Sequence, residues 1–193
     1  MKTGILFLIC FGFLQAGEAL SADPEKTVIS LPELSGLNLK IKDLSNVYQL
    51  KKGKSGYENH VKIAVDMVYY EAFEERQSIY SALSLYNDAN QAACGFEAAK
   101  RGLAQERDGN ILENAPSFGQ QSVLFVERYV DPKTGDFDRY HVLFYFGNIA
   151  VEIRVEAPEA VVPQKDVVGY AKIVEKNLKD DCPKCLQAES CSQ

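Results

Sequence analysis

Alternating apolar and polar positions predict most of the secondary structure in the first half of the chain. In residues 60–70 the odd-numbered side chains are apolar from Val61 to Tyr69, whereas His60, Lys62, Asp66 and Tyr70 lie on the other side. This period of two predicts a strand buried on the Val61 side. Residues 77–86 repeat the pattern. Residues 37–41 and 47–51 predict two shorter strands, the second followed by a turn at residues 52–56.

The pattern then changes to a helical one. Asn87-Asp88 offers an N-cap, and the apolar residues that follow recur at spacings of three and four until about Gly102. Cys94 lies about 160° around this helix from Phe96, so it is expected to point away from the core. The predicted inner stripe consists of Ala89, Ala92, Ala93, Phe96, Ala99 and Leu103.

The second half of the chain predicts three strands and a closing helix. The strands are residues 122–130, 139–146 and 149–157, and the helix is residues 165–178. Gly147-Asn148 joins the last two strands as a tight hairpin turn. Residues 139–146 are apolar on both faces, which favours a central strand, whereas residues 149–157 alternate.

The order of these elements predicts an α+β fold. The predicted order is three strands, a helix, three strands and a second helix. Because the connections between neighbouring strands are short, this order indicates an antiparallel sheet of about six strands with two packed helices. We expect a signal peptide in residues 1–22, an extended lead-in at 23–45, one domain at 46–180 and a cysteine-rich tail at 181–193.

Three stretches carry a resemblance to a known group of domains. They are the helix A-x-x-A-A-x-x-F-x-x-A of residues 89–99, residues 115–123 (APSFGQQSV) and residues 144–151 (FYFGNIAV), followed by the closing helix. Together they resemble exported, mostly uncharacterised bacterial α+β domains of the PsbP/Mog1-like kind, over roughly residues 47–178. The resemblance implies a fold and no particular activity.

The N-terminal residues predict export. Lys2 precedes an apolar run at residues 4–14 and a small, polar region at residues 15–22, which is the pattern of a cleaved signal peptide. The run is too short to cross a bilayer, which needs about 20 residues, and no second such run follows. We therefore expect a periplasmic or secreted protein without a membrane span. Its net charge of −6 argues against nucleic acid as a partner.

Four cysteines remain after the signal peptide, and three chemistries suit them. They could form two disulfides, a Cys182/Cys185 redox pair or a zinc site, and they are Cys94, Cys182, Cys185 and Cys191. The C-x-x-C pair follows a helix, where the helix dipole opposes a thiolate, and no histidine lies nearby. We expect structural disulfides, with Cys94 joined to Cys182 or Cys185 so that the tail is fixed across the first helix.

The sequence predicts a binding function and no catalysis. His60 and His141 are not paired with a nucleophile, and no cofactor or metal site is expected. One sheet face could bind an unknown small ligand or an envelope protein. A solvated face partly covered by residues 23–45 is the commoner arrangement for such a surface. The alternative function is a thiol-based redox or metal-handling protein that uses Cys182 and Cys185. The candidate binding face consists of Lys62, Asp66, Tyr70, Tyr80, Tyr86 and Arg154.

Overall fold

A single antiparallel sheet of seven strands organises the protein. The computed structural model describes residues 29–57, 62–106, 110–112, 115–131, 135–158, 164–182 and 185. The predicted signal peptide and Cys191 therefore lie outside the described residues. The elements are α1 (Leu31–Leu37), a 3-10 turn (Ile41–Asp43), β1 (Gln49–Tyr57), β2 (Lys62–Ala72), β3 (Gln77–Tyr86), α2 (Ala89–Glu106), β4 (Asn110–Ile111), β5 (Gln121–Asp131), β6 (Gly135–Phe146), β7 (Ile149–Pro158) and α3 (Gln164–Asp181).

The strand order is β1-β2-β3-β7-β6-β5-β4. Two antiparallel meanders, β1-β2-β3 and β5-β6-β7, meet where β3 pairs with β7, from Ser78 opposite Glu156 to Leu85 opposite Ile149. The connection from β3 to β4 must pass from the middle of the sheet to its far edge. Helix α2 makes that crossing and packs over β3, β7 and β6.

The predicted α+β class and the alternation of strands and helices are confirmed. The strand expected at residues 77–86 matches β3, and the Gly147-Asn148 turn joins β6 to β7. Asp88 caps α2, because its carboxylate accepts a hydrogen bond of 2.8 Å from the backbone N–H of Gln91. The helix continues past Gly102 to Glu106. Gly147 has φ 56°, which a glycine adopts without strain.

The prediction of an extended lead-in with a strand at residues 37–41 is wrong. The described part of this segment forms α1 and the 3-10 turn. Ser30 and Glu33 form a capping box, and the backbone N–H of Ser30 donates to the Glu33 carboxylate at 2.6 Å. Leu34 and Leu37 lie in the core, so this segment belongs to the domain.

The turn predicted at residues 52–56 is also wrong, because β1 runs straight through it. β1 is an edge strand, and its register shifts between Leu50 and Lys52. Lysines and a bulge on an edge strand hinder pairing with another chain. The run of lysine and glycine therefore belongs to an exposed edge strand.

The two faces of the sheet are covered unequally. We call the face under α1 and α3 the α3 face; its floor includes Ile79, Leu83, Val151 and Ile153, all at most 2% exposed. We call the other side the α2 face. There, Phe96 and Leu103 of α2 pack on a smaller cluster of residues, Val123, Phe125 and Leu143, with Tyr145 beside it.

Candidate ligand-binding groove

A groove of about 510 Å³ separates α2 from the strands of the α2 face. Its floor comes from β2 and β3 and includes Val65, Met67, Tyr80 and Ala82. Its wall is the side of α2 that carries small side chains, namely Cys94, Gly95, Ala98 and Ala99. Small side chains on the wall leave the space open, while Phe96 anchors the helix. A volume between about 300 and 1,000 Å³ is typical of small-molecule sites.

Close contact between α2 and β3 sets the height of the helix above the sheet. A Cβ atom added at Gly95 would lie 2.2 Å from the hydroxyl oxygen and 2.6 Å from Cζ of Tyr86. Glycine is therefore required here for packing, although its φ is ordinary. Tyr86 itself is only 4% exposed, so its ring is held beneath the helix.

A second cavity of about 220 Å³ continues the groove towards β1. It shares Met67 and Tyr80 with the larger one and adds Tyr69, Lys52 and Lys54. Lys52 lies opposite Tyr69, and Lys54 lies opposite Met67, in the register of β1 and β2. The groove thus runs from the small-residue side of α2 to a pair of lysines at the edge of the sheet.

Arg154 stacks over the ring of Tyr80 beside this groove. The guanidinium carbon lies 5.0 Å from the ring centroid, and the two residues are directly opposite each other on β7 and β3. Such cation–π contacts contribute about 0.5–1 kcal/mol when exposed. The contact fixes the orientation of the Tyr80 ring on the floor.

A buried histidine lies at the β6 side of the same face. His141 is fully buried, and its Nε2 atom lies 2.8 Å from Oε2 of Glu127. Its Nδ1 atom lies 3.5 Å from Oε1 of Glu152 and has no hydrogen-bond partner among the described residues. Arg139 connects Glu127, at 3.4 Å, to Glu156, at 2.8 Å. The network places carboxylates, and not hydroxyls, around the imidazole.

The structure brings together only part of the predicted binding face. Tyr80 and Tyr86 line the groove, and Arg154 stacks on Tyr80. Asp66 and Tyr70 lie on the opposite, α3 face, and each is 3% exposed. Lys62 begins β2 opposite Tyr86, and its side chain lies outside the described part.

Asp66 is turned inward because neighbouring side chains satisfy its carboxylate. Ser35 donates to Oδ1 at 2.6 Å, Ser55 donates to the same atom, and Asn38 donates to Oδ2 at 2.8 Å. These donors come from α1, the residue after it and β1. A buried carboxylate is tolerated when it is fully hydrogen-bonded. Asp66 therefore fixes α1 to the sheet, and the expected orientation of β2 is wrong.

Tyr70 supports the same contact between the N-terminal segment and the sheet. Its hydroxyl donates to the backbone carbonyl of Leu39 at 2.9 Å. Burial raises the pKa of Tyr70, and the nearby carboxylates of Asp43 and Asp66 raise it further. The hydroxyl consequently stays neutral and keeps its proton for this hydrogen bond.

The cysteines pair differently from the prediction. Cys182 is bonded to Cys185, while Cys94 is exposed and unbonded in the structure. Both bonded residues are buried, at 3% and 0% exposure. A Cβ atom added at Gly147 would lie 1.7 Å from the Cys185 carbonyl oxygen, so the backbone of Cys185 packs on the β6–β7 turn. Cys185 reaches this turn because α3 packs on β6 and β7, on the face of the sheet opposite α2.

The described residues contain neither a metal-binding cluster of side chains nor a membrane-spanning helix. No group of three or more histidine, cysteine, aspartate or glutamate side chains there is placed to hold a metal ion. Among the helices of the described part, none is both long enough and apolar enough to span a bilayer.

The fold resembles a known extracellular domain. No protein-family model and no curated protein matches the chain. The extracellular domain of PknH from Mycobacterium tuberculosis has a TM-score of 0.58 and 11% identity, covering 79% of this chain and 98% of that domain. Protein CV1439 from Chromobacterium violaceum, at 13% identity over 82% of this chain and 91% of that one, has a TM-score of 0.20, too low to indicate a common fold. The likeness to the PsbP/Mog1 group stays a prediction.

Two glycine substitutions in α2 test how the helix is seated on the sheet. Gly102→Ala meets no atom within 4 Å and should stabilise the protein by about 0.5–1 kcal/mol, since alanine favours a helix. Gly95→Ala should instead destabilise it by about 1–3 kcal/mol, because the methyl group overlaps Tyr86. Urea unfolding of both variants checks this. Stabilisation by both substitutions would mean that α2 does not lie against Tyr86.

Peptide mapping of the oxidised, non-reduced protein tests the cysteine pairing. We expect a Cys182–Cys185 linkage and rapid alkylation of Cys94 in the native protein, because Cys94 is exposed and the other two are buried. A peptide that joins Cys94 to Cys182 or Cys185 would contradict the structure and restore the sequence-based pairing.

Proposed function

We propose that the protein is an exported, non-enzymatic binding domain whose ligand lies in the groove between α2 and the sheet. One observation carries this proposal: the groove has a volume of about 510 Å³ and a largely apolar lining with a few polar groups. Sites with that size and lining are the usual locations of small-molecule binding.

The surroundings of the groove favour a preformed site. Its floor consists of adjacent strands in the middle of a seven-stranded sheet, and Tyr80 is held between Arg154 and Met67. The Tyr80 hydroxyl lies 3.3 Å from the Met67 sulfur. Side chains that are already ordered lose less conformational entropy when a ligand binds.

Export is supported by three independent features. The N-terminal residues have the pattern of a signal peptide, and the Cys182–Cys185 disulfide suits an oxidising compartment. The extracellular domain of PknH provides a precedent for this fold outside a cell. Together they support a periplasmic or secreted location.

The rival functions find less support. Thiol exchange needs an accessible sulfur, whereas Cys182 and Cys185 are both buried in the core. Acid–base catalysis by His141 would need a ring nitrogen within reach of a substrate, whereas His141 is fully buried, and activation of a nucleophile would need a hydroxyl or thiol beside it. In the described part of the chain its contacts are with Glu127 and Glu152 instead.

A neutral dye tests whether the groove accepts a ligand. N-phenyl-1-naphthylamine fluoresces when it leaves water, and we expect it to bind the wild-type protein. Ala98→Trp should weaken this binding at least about tenfold, since an indole ring placed on the wall of the groove fills the space that an apolar ligand would bury.

Ala104→Trp is the matched control, because Ala104 is exposed on the same helix and does not line the groove. It should leave the dye affinity unchanged. Equal affinity of Ala98→Trp and wild type, with both proteins folded by circular dichroism, would contradict the proposed site.

A further inference from the structure

We propose that the ligand is a single-chain anionic amphiphile, with its acidic group at Lys52 and Lys54 and its apolar chain beneath α2. This inference rests on the proposed function and specifies the ligand class for the same groove. It follows from the distribution of charge and apolar surface along the groove, which differs at its two ends.

The β1 end of the groove is cationic. Lys52 and Lys54 are both exposed and line the smaller cavity. Within the described residues, neither forms an ion pair, whereas the adjacent Lys51 lies 3.6 Å from Glu71. Successive residues of a strand point to opposite faces, so Lys52 and Lys54 lie on the same, α2 face. Two ammonium groups are therefore available to an acidic head group.

The β6 end of the groove carries charges of both signs, which offset one another. Glu152 lines the larger cavity, and its Oε1 atom lies 3.5 Å from His141 Nδ1. Glu127 lies on the other side of the same imidazole and is 3.4 Å from Arg139. Arg154 follows two residues after Glu152 on β7. A carboxylate head group at this end would meet Glu152 as well as Arg154, whereas at the β1 end it meets the two positive charges of Lys52 and Lys54. The charges thus select one orientation of an anionic ligand.

The floor between these ends is suited to an alkyl chain. Val65 and Ala82 are buried, and Met67 and Tyr80 are shared by both cavities. From β1 to β3 the floor crosses two strand spacings, about 10 Å. The wall of alanine, glycine and cysteine side chains on α2 adds further apolar surface. A floor of this length can accommodate one extended alkyl chain that runs from β1 towards β3.

Calorimetric titration with alkyl probes of equal length tests the ligand class. Decanoate, below the concentration at which it forms micelles, should bind more tightly than decanol, and decylammonium should bind most weakly. From hexanoate to decanoate the affinity should rise about fourfold for each methylene group, as expected when each is removed from water. In the Ala98→Trp variant the affinity should no longer depend on the length of the alkyl chain.

Charge variants test the position of the head group. Lys52→Gln with Lys54→Gln should weaken decanoate binding by about 2- to 30-fold and leave decanol binding unchanged. Lys165→Gln with Lys172→Gln is the matched control, because it removes the same charge from exposed positions of α3 on the opposite side of the sheet. The control should leave the affinity for decanoate unchanged.

Three outcomes would overturn the inference. Equal affinity for decanoate, decanol and decylammonium would remove the role of the acidic group. An equal loss in both lysine double variants would mean that net charge acts, and not a site. If the neutral dye binds in the groove but decanoate binds no more tightly than decanol, this inference alone is refuted. If neither the dye nor decanoate binds, the proposed function is refuted as well.

Discussion

The pairing of β3 with β7 determines the rest of the architecture. It joins two three-stranded meanders into one sheet and leaves β3 in the middle, so the chain must cross the sheet to begin the second meander at the far edge. Helix α2 makes this crossing on one face, while α1 and α3 cover the other. One helix cannot cover a face of seven strands, and the uncovered part beside it becomes the groove.

The groove depends on the size of the side chains along α2 and on the packing of α1 and α3 against the opposite face of the sheet. Phe96 anchors α2 on its cluster, and Gly95 lets the helix approach Tyr86, while Ala98 and Ala99 leave space on the open side. On the α3 face, the hydrogen bonds of Asp66 hold α1 in place, and Cys185 packs on the β6–β7 turn. The α3 face is therefore covered by α1 and α3, whereas the α2 face is accessible at the groove.

Local patterns predicted the hairpins, the helices α2 and α3 and the α+β class, because hydrophobic period and turn residues act over a few positions. The orientation of β2 was not predictable, since a charged residue is assigned to solvent unless its partners are known. Two of the three donors to Asp66, Ser35 and Asn38, lie 31 and 28 residues away in the sequence. The capping box of Ser30 and Glu33 was a readable signal for α1. The lysines of β1 resemble a turn because composition does not distinguish a turn from an edge strand.

Of the predicted binding face, three residues lie at the groove, namely Tyr80, Tyr86 and Arg154. They lie there because they alternate on β3 and β7, the strands whose orientation was predicted correctly.

Chemical-shift mapping with decanoate tests the central claim that the accessible face is the binding surface. In a ¹⁵N-labelled protein, the account predicts shifts in the amides of α2 around Cys94 and Ala98, and in those of β1, β2 and β3 near Lys52, Met67 and Tyr80. Amides of α1 and α3 should remain unchanged. Shifts concentrated in α3, or the absence of saturable shifts anywhere, would contradict it.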